Sequence, residues 1–172
     1  GSDGLTVTGK RLQFSNADGQ GELQFNWRRP LAPAQTGKPA VPRGAGWLDL
    51  EGSMARVDGV RVHRYLPSVL DKAVRDYVRG AVLGGTASGV KFKVKGDLDR
   101  FPFEDAKQGE FRIFANVKDV NFAFVPDYLL PKGSLSWPSL QQVDGDLVID
   151  HATLTARAQR GRLGSTGVQV SN

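Results

Sequence analysis

Residues 60–85 constrain the fold more than any other stretch, because they carry a long helical periodicity. Apolar residues recur there at intervals of three and four, which places them in one stripe on an α-helix. The stripe consists of Leu66, Val69, Leu70, Ala73, Val74, Tyr77, Val78, Ala81 and Val82. Charged residues such as Arg75 fall on the opposite side, and Pro67 suits a first helical turn. The pattern predicts an amphipathic helix over residues 67–83.

Much of the remaining chain alternates between apolar and polar residues, as in a strand with one buried side. The alternation is strictest at residues 90–95, where three apolar side chains alternate with three lysines. Turn-forming residues at 16–19 predict a hairpin between the first two strands. A change of parity near residue 118 indicates a bulge or a tight turn. We therefore expect a β-rich α+β fold, in which one helix packs on a mostly antiparallel sheet.

The segment at residues 29–45 contains four prolines and no periodicity, so we expect an exposed Pro/Gly-rich loop there. Residues 1–2, Gly-Ser, are typical of the scar that protease cleavage leaves after expression. Residues 3–172 are then expected to form a single segment of a longer protein.

The net charge of the chain does not by itself exclude any class of binding partner. There are 23 basic and 18 acidic residues, giving a net charge of +5 that is spread along the sequence. This excess permits contact with anionic lipid or nucleic acid but singles out neither. Aromatic residues share the apolar parity rather than the lysine parity, so the stacking surface of a single-strand binder is not indicated. We predict no nucleic-acid partner.

Catalytic motifs are weak throughout the sequence. The histidines, His63 and His151, lie far apart and outside metal-binding spacings. Residues 4–10 approach the phosphate-loop spacing, but Arg11 stands where a magnesium-binding Ser or Thr is needed. The chain has no cysteine, which excludes disulfides and thiolate metal sites. We predict neither an enzyme nor a cofactor or metal site.

Four short motifs in a fixed order carry a resemblance to a known family. They are Arg-Tyr-Leu-Pro at 64–67, Phe-Pro-Phe at 101–103, Gly-Glu-Phe-Arg-Ile at 109–113 and Trp-Pro at 137–138. Together they resemble the YhdP family of AsmA-like proteins of Gram-negative envelopes, over residues 46–172. The resemblance implies one interior segment of a long periplasmic bridge, whose parent protein is anchored in the inner membrane. Neighbouring segments of the same full-length protein would be its partners, together with phospholipid.

The resemblance also implies a curved sheet that forms a β-groove for lipid. The candidate groove residues are Leu23, Phe25, Trp27, Val90, Phe92, Val94, Phe111, Ile113, Phe122, Phe124, Leu147 and Ile149. The same side chains could instead form an ordinary core beneath the helix. The function implied is the shielding of phospholipid acyl chains during transport between the inner and outer membranes. The alternative is a structural or protein-interaction segment of the envelope.

Overall fold

The strands of the described chain form a single open antiparallel sheet. The computed structural model describes residues 4–32, 42–66, 72–135, 137–164 and 169–171. Eight strands lie in the sheet in the order in which they occur in the chain. They are β1 Gly4–Ser15, β2 Gly19–Pro30, β3 Trp47–Asp58, β4 Val82–Asp97, β5 Gly109–Ala123, β6 Ser139–Asp150, β7 Thr153–Leu163 and β8 Gln169–Ser171. The predicted β-rich, mostly antiparallel class is confirmed.

Tight turns join β1 to β2 and β6 to β7. Between β1 and β2, the Asn16 side chain accepts hydrogen bonds from the backbone N–H groups of Asp18 and Gly19, at 2.9 and 3.0 Å. Asparagine commonly fixes a turn in this way, and the predicted hairpin is confirmed. Between β6 and β7 the loop has two residues, and the first of them, His151, has a φ of 53°. Two-residue hairpin loops favour such positive φ values.

The described helices are short, and the predicted helix ends too late. They are the 3₁₀ helices η1 Gly59–Tyr65, η2 Leu98–Arg100 and η3 Asp127–Leu129, and the α-helix α1 Lys72–Ala81. Residues 67–71 of the predicted helix lie outside the described residues. The predicted end at residue 83 is wrong, because Val82 already begins β4. Apolar residues continue from helix into strand without a break, so periodicity alone could not separate them. None of these helices is long and apolar enough to cross a membrane.

The predicted apolar stripe of helix α1 is covered by the protein near the end of the helix but exposed at its start. Ala81 is fully buried, whereas Val74, in the middle of the predicted stripe, is 44% exposed. Arg75, expected on the solvent side, is half-buried. The Tyr77 hydroxyl donates a hydrogen bond to the carbonyl of Phe124 at 3.0 Å. These contacts place α1 at the end of the sheet where β4 begins and β5 ends.

Within the described ranges, most buried apolar side chains form two clusters, each covered by a connecting segment. The first contains Met54, Val57, Val90 and Ala115, with Val62 and Tyr65 of η1 packed on it. The second contains Val94, Phe103 and Phe111, with Phe101 packed on it. We call the pair Val62 and Tyr65 the η1 cover, and the pair Phe101 and Phe103 the aromatic cover. Each cover shields one part of the sheet from water.

A β-bulge in β5 accounts for the predicted change of parity. The pairing of β5 with β6 shifts between Val117 and Val120, and Asp119 has a φ of 51°. The backbone N–H of Asp119 donates to the Asp144 carboxylate at 2.8 Å, and Arg160 lies 2.7 Å from the same carboxylate. The Asp119 hydrogen bond and the Arg160 charge hold the pKa of Asp144 below its usual value. The bulge is thus fixed from the neighbouring strand.

The segment predicted as an exposed loop, residues 29–45, is partly incorporated into strand pairing. Strand β2 extends through Pro30, so the predicted start of the loop at residue 29 is wrong. An isolated β-bridge then joins Leu31 to Pro42. Residues 33–41 lie outside the described residues. Backbone hydrogen bonds do not require a repeating apolar pattern of side chains, so the ladder can continue where that pattern stops.

Candidate functional site

The pairing register assigns alternate residues of each strand to a common side of the sheet, because directly paired residues point to the same side. One side, the apolar face, carries Leu48, Leu50 and Met54 of β3, Val90, Phe92 and Val94 of β4, and Phe111, Ile113 and Ala115 of β5. It extends through Leu23, Phe25 and Trp27 to Leu5, Val7 and Leu12 of β1. In the other direction it extends through Leu147 and Ile149 to Leu154 of β7. The apolar face therefore spans seven strands.

The register brings ten of the twelve candidate groove residues directly onto the apolar face. These ten are Leu23, Phe25, Trp27, Val90, Phe92, Val94, Phe111, Ile113, Leu147 and Ile149. The bulge before Val120 adds one residue to β5, which returns Phe122 to the parity of this face. Phe124 follows the end of β5, and its ring centroid lies 5.6 Å from that of Phe122.

Burial separates the candidates into core and open surface. Val90, Val94 and Phe111 are at most 8% exposed, because they belong to the two covered clusters. The other seven of the ten are half-buried. At the margins of the face, Leu12 is 45% exposed and Leu154 is 57% exposed. The apolar face is thus closed where the covers lie and open between and beyond them.

Glycines let aromatic rings lie close to the sheet on this face. A Cβ atom at Gly52 would stand 2.5 Å from Cζ of Phe92, and one at Gly9 would stand 2.5 Å from Cε1 of Phe25. Glycine in a strand often marks such a close approach. The rings fill the space above the glycines, so the apolar surface continues across strands that lack a side chain at that point.

Cross-strand ion pairs occupy the opposite, polar face. The ammonium of Lys93 lies 2.8 Å from the Glu110 carboxylate, and that of Lys95 lies 3.3 Å from the Asp49 carboxylate. The hydrogen bond to Glu110 raises the pKa of Lys93. The lysine stripe at residues 90–95 is therefore part of a surface of mixed charge.

A broad concavity of about 980 Å³ lies mainly against this polar face. Its lining includes Glu22, Glu51, Lys93 and Glu110. An apolar trough, as the resemblance implied, would instead place the concavity on the apolar side. In the described residues, the apolar surface is an open face bordered by the two covers.

The two histidines bond to backbone carbonyls. The ring of His63 lies 3.0 Å from the carbonyl of Val60. His151 has an acceptor at each ring nitrogen: the Asp150 carboxylate is 2.6 Å from Nδ1, and the Gly109 carbonyl is 3.1 Å from Nε2. The Gly109 carbonyl, followed by Asp150, raises the pKa of His151. Within the described ranges, no group of three or more His, Cys, Asp or Glu side chains could hold a metal ion.

Sequence reasoning missed the two covers. Phe101 and Phe103 entered only through a motif of the resemblance, and Phe103 is in fact 1% exposed. Val62 and Tyr65 lie in a helical turn where the alternation resembles the start of a strand. Large apolar residues in connecting segments were the available sign, since such residues need a surface on which to pack.

Comparisons with known proteins relate the sequence of this chain to one family. The family model described as YhdP protein matches residues 1–172. The protein named intermembrane phospholipid transporter YhdP, from Escherichia coli (strain K12), is 29% identical over 127 residues. That alignment covers 73% of this chain and 9% of the length of the relative. No solved structure matches the chain. The match along the whole sequence shows that the chain belongs to the YhdP family.

Proposed function

We propose that this chain shields the acyl chains of phospholipid on its apolar face while the lipid moves between the inner and outer membranes. The observation that carries the proposal is an apolar face that spans seven strands and is covered only in part. A monomer rarely exposes so wide an apolar surface without a ligand or partner. A lipid acyl chain supplies the matching chemistry, since it needs apolar contact and makes no hydrogen bonds.

The free energy of transfer explains why such a surface is needed. Exposing an acyl chain to water costs about 0.8 kcal/mol per CH₂ group, or about 12 kcal/mol for about sixteen carbons. A barrier of that size makes unassisted movement through water very slow. A continuous apolar face lowers it by replacing water with side chains along the route.

The name of the relative supports phospholipid as the cargo, and its length supports a larger assembly. This chain corresponds to 9% of that relative. We infer that neighbouring segments of one full-length protein continue the face on either side. The parent protein would be anchored in the inner membrane, and this segment would lie in the periplasm.

Native mass spectrometry of the gently purified chain tests the proposal. We expect co-purified phospholipid, identified by its mass after collisional release. The double variant Leu12→Glu/Leu154→Glu puts charges at the two open margins of the apolar face, where both residues are exposed. It should retain several-fold less lipid, because a charge in contact with an acyl chain must lose its hydration.

The matched control is Gln13→Glu/Thr155→Glu, which changes the next residue on the same two strands. Both positions are exposed and lie on the polar face. This variant should retain as much lipid as the unmodified chain. Lipid-free protein, or equal loss in both double variants, would favour a structural or protein-interaction segment instead.

A further inference from the structure

We propose that the acyl chain lies across the strands in one lane of the apolar face, between the η1 cover and the aromatic cover. This inference rests on the proposed function and specifies how the face holds its lipid. The floor of the lane is a single row of paired residues, which we call the central row. It consists of Leu12, Leu23, Gly52, Phe92, Ile113, Ile149 and Leu154.

The central row is apolar from one margin of the sheet to the other. Each member is the direct register partner of the next, on strands β1 to β7 in order. Six gaps of about 4.8 Å give the row a length of about 29 Å. The ring of Phe92 extends over Gly52, so the one position without a side chain leaves no break.

The covers lie on either side of this row. On β4, Val90 belongs to the cluster under the η1 cover and Val94 to the cluster under the aromatic cover, with Phe92 midway between them. Ala115 and Phe111 flank Ile113 on β5 in the same way. On both β4 and β5, the lane is therefore bordered by the η1 cover on one side and the aromatic cover on the other; these are the walls of the lane.

The spacing of the walls suits one acyl chain on the sheet surface. Four residues of strand separate Val90 from Val94, or about 13 Å. An acyl chain in contact with a wall on each side needs about 8 Å between the wall atoms, at about 4 Å per contact. The remaining 5 Å or so is taken up by the half-widths of the wall side chains. Two chains side by side would need about 12 Å between the walls and would not fit.

A second row, two rows away from the central one on the same face, is closed. Val7, Trp27 and Leu48 are paired in register, but this row continues to Gly96 and Gly109 beneath the aromatic cover. A Cβ atom at either glycine would lie 2.7 Å from the ring of Phe103. A lipid on this row would therefore meet a wall halfway across the sheet.

Two residues of β1 provide a matched test. Leu12, in the central row, is 45% exposed, and Val7, in the closed row, is 41% exposed. Both lie on the apolar face, so they differ mainly in which row they belong to. The photo-crosslinker p-benzoylphenylalanine would replace each of them singly in the purified chain, with Thr8 on the polar face as a third position.

Each variant would be mixed with vesicles of phosphatidylethanolamine and phosphatidylglycerol and irradiated, and lipid adducts would be measured by intact-protein mass spectrometry. Circular dichroism checks that the three variants fold alike. We expect at least fivefold more adduct at Leu12 than at Val7, and background levels at Thr8. Equal adducts at Leu12 and Val7, above Thr8, would overturn the lane while leaving lipid shielding intact. Adducts no higher at Leu12 and Val7 than at Thr8 would overturn the proposed function as well.

Discussion

The ring of Phe92 lies over Gly52 on the adjacent strand, so close that a Cβ atom at Gly52 would stand 2.5 Å from Cζ. The two residues are direct register partners at the centre of the sheet. A single hydrogen atom at Gly52 thus allows β3 to pass beneath an aromatic ring. The apolar face depends on this pairing of a large residue with the smallest one.

Adding one methyl group at this point should therefore destabilise the protein. We expect Gly52→Ala to lower the free energy of unfolding by about 1–3 kcal/mol, the range for overpacked positions. Urea denaturation followed by circular dichroism measures the change. Ser53→Ala, one residue further and on the polar face, should stay within about 0.5 kcal/mol of the unmodified chain. Equal midpoints for the two variants would contradict the close approach.

The exposure of helix α1 gives a second prediction. Val74 is 44% exposed and Ala81 is fully buried, although both belong to the stripe that periodicity defines. Val74→Asp should change the free energy of unfolding by about 0.5 kcal/mol or less. Ala81→Asp should cost about 3 kcal/mol or more, because it buries a carboxylate without a partner. Thermal unfolding of both variants distinguishes the two positions, and a more harmful change at Val74 would refute the orientation of the helix.

The Asp144 carboxylate predicts a dependence of stability on acid. Its pKa is held below the ordinary 3.8, first by the hydrogen bond from the Asp119 N–H and also by Arg160. The stabilisation is therefore complete above pH 3.8 and is lost as the pH falls through the lower folded pKa. Asp144→Asn resembles the protonated carboxyl at every pH.

Urea midpoints of the unmodified chain and of Asp144→Asn should accordingly differ most at pH 6. The difference should shrink steadily between pH 4 and pH 2. A difference that stays constant over this range would mean that the charge of Asp144 does not help to hold the bulge.

His151 predicts the opposite dependence, at higher pH. Both ring nitrogens have an acceptor, so the doubly protonated ring makes both hydrogen bonds and the neutral ring makes only one. The Gly109 carbonyl, followed by Asp150, raises the pKa above the ordinary 6.5. The stabilisation is complete below pH 6.5 and is lost as the pH rises through the folded pKa.

The variant His151→Asn isolates this contribution, since asparagine tolerates the positive φ of the β6–β7 turn. Its stability relative to the unmodified chain should be lowest at pH 5.5 and should recover towards pH 9. Chemical-shift titration of the His151 ring provides an independent measurement. The groups that face this ring are Asp150, Asp105 and the Gly109 carbonyl, and a titration midpoint below 6.5 would contradict the assignment.

Alternation predicted which side of each strand is apolar, but not what covers it. Leu23, Phe25 and Trp27 lie on one face as their spacing indicates, because period two is a local property of a strand. The parity of Phe122 depended on a bulge whose extra residue is fixed by Asp144, twenty-five positions after Asp119. The aromatic cover also depends on non-local contacts, since Phe103 packs against Val94 of β4 and Phe111 of β5 as well as against Phe101.

Helix α1 shows a second limit of prediction from sequence. Its periodicity predicted a helix, yet could not say that the helix would lie at the end of the sheet and leave Val74 in water. A stripe ranks positions by hydrophobicity, whereas burial depends on where the neighbouring elements lie. The end of the helix was missed for a related reason: apolar residues continue from Ala81 through Val82 and Leu83, and pairing with β5 decides where the strand begins.

Because the strands lie in the sheet in chain order, the sheet can form while the protein is being synthesised. Each strand needs only the preceding one as a template, so the sheet can grow by one hairpin at a time as the polypeptide emerges. Pairing between consecutive strands keeps loop closures shorter than in sheets whose neighbouring strands are distant in sequence. By the same logic, duplication of a hairpin would add strands without rearranging any existing pair. The length of the sheet across its strands can therefore change in evolution by such duplications.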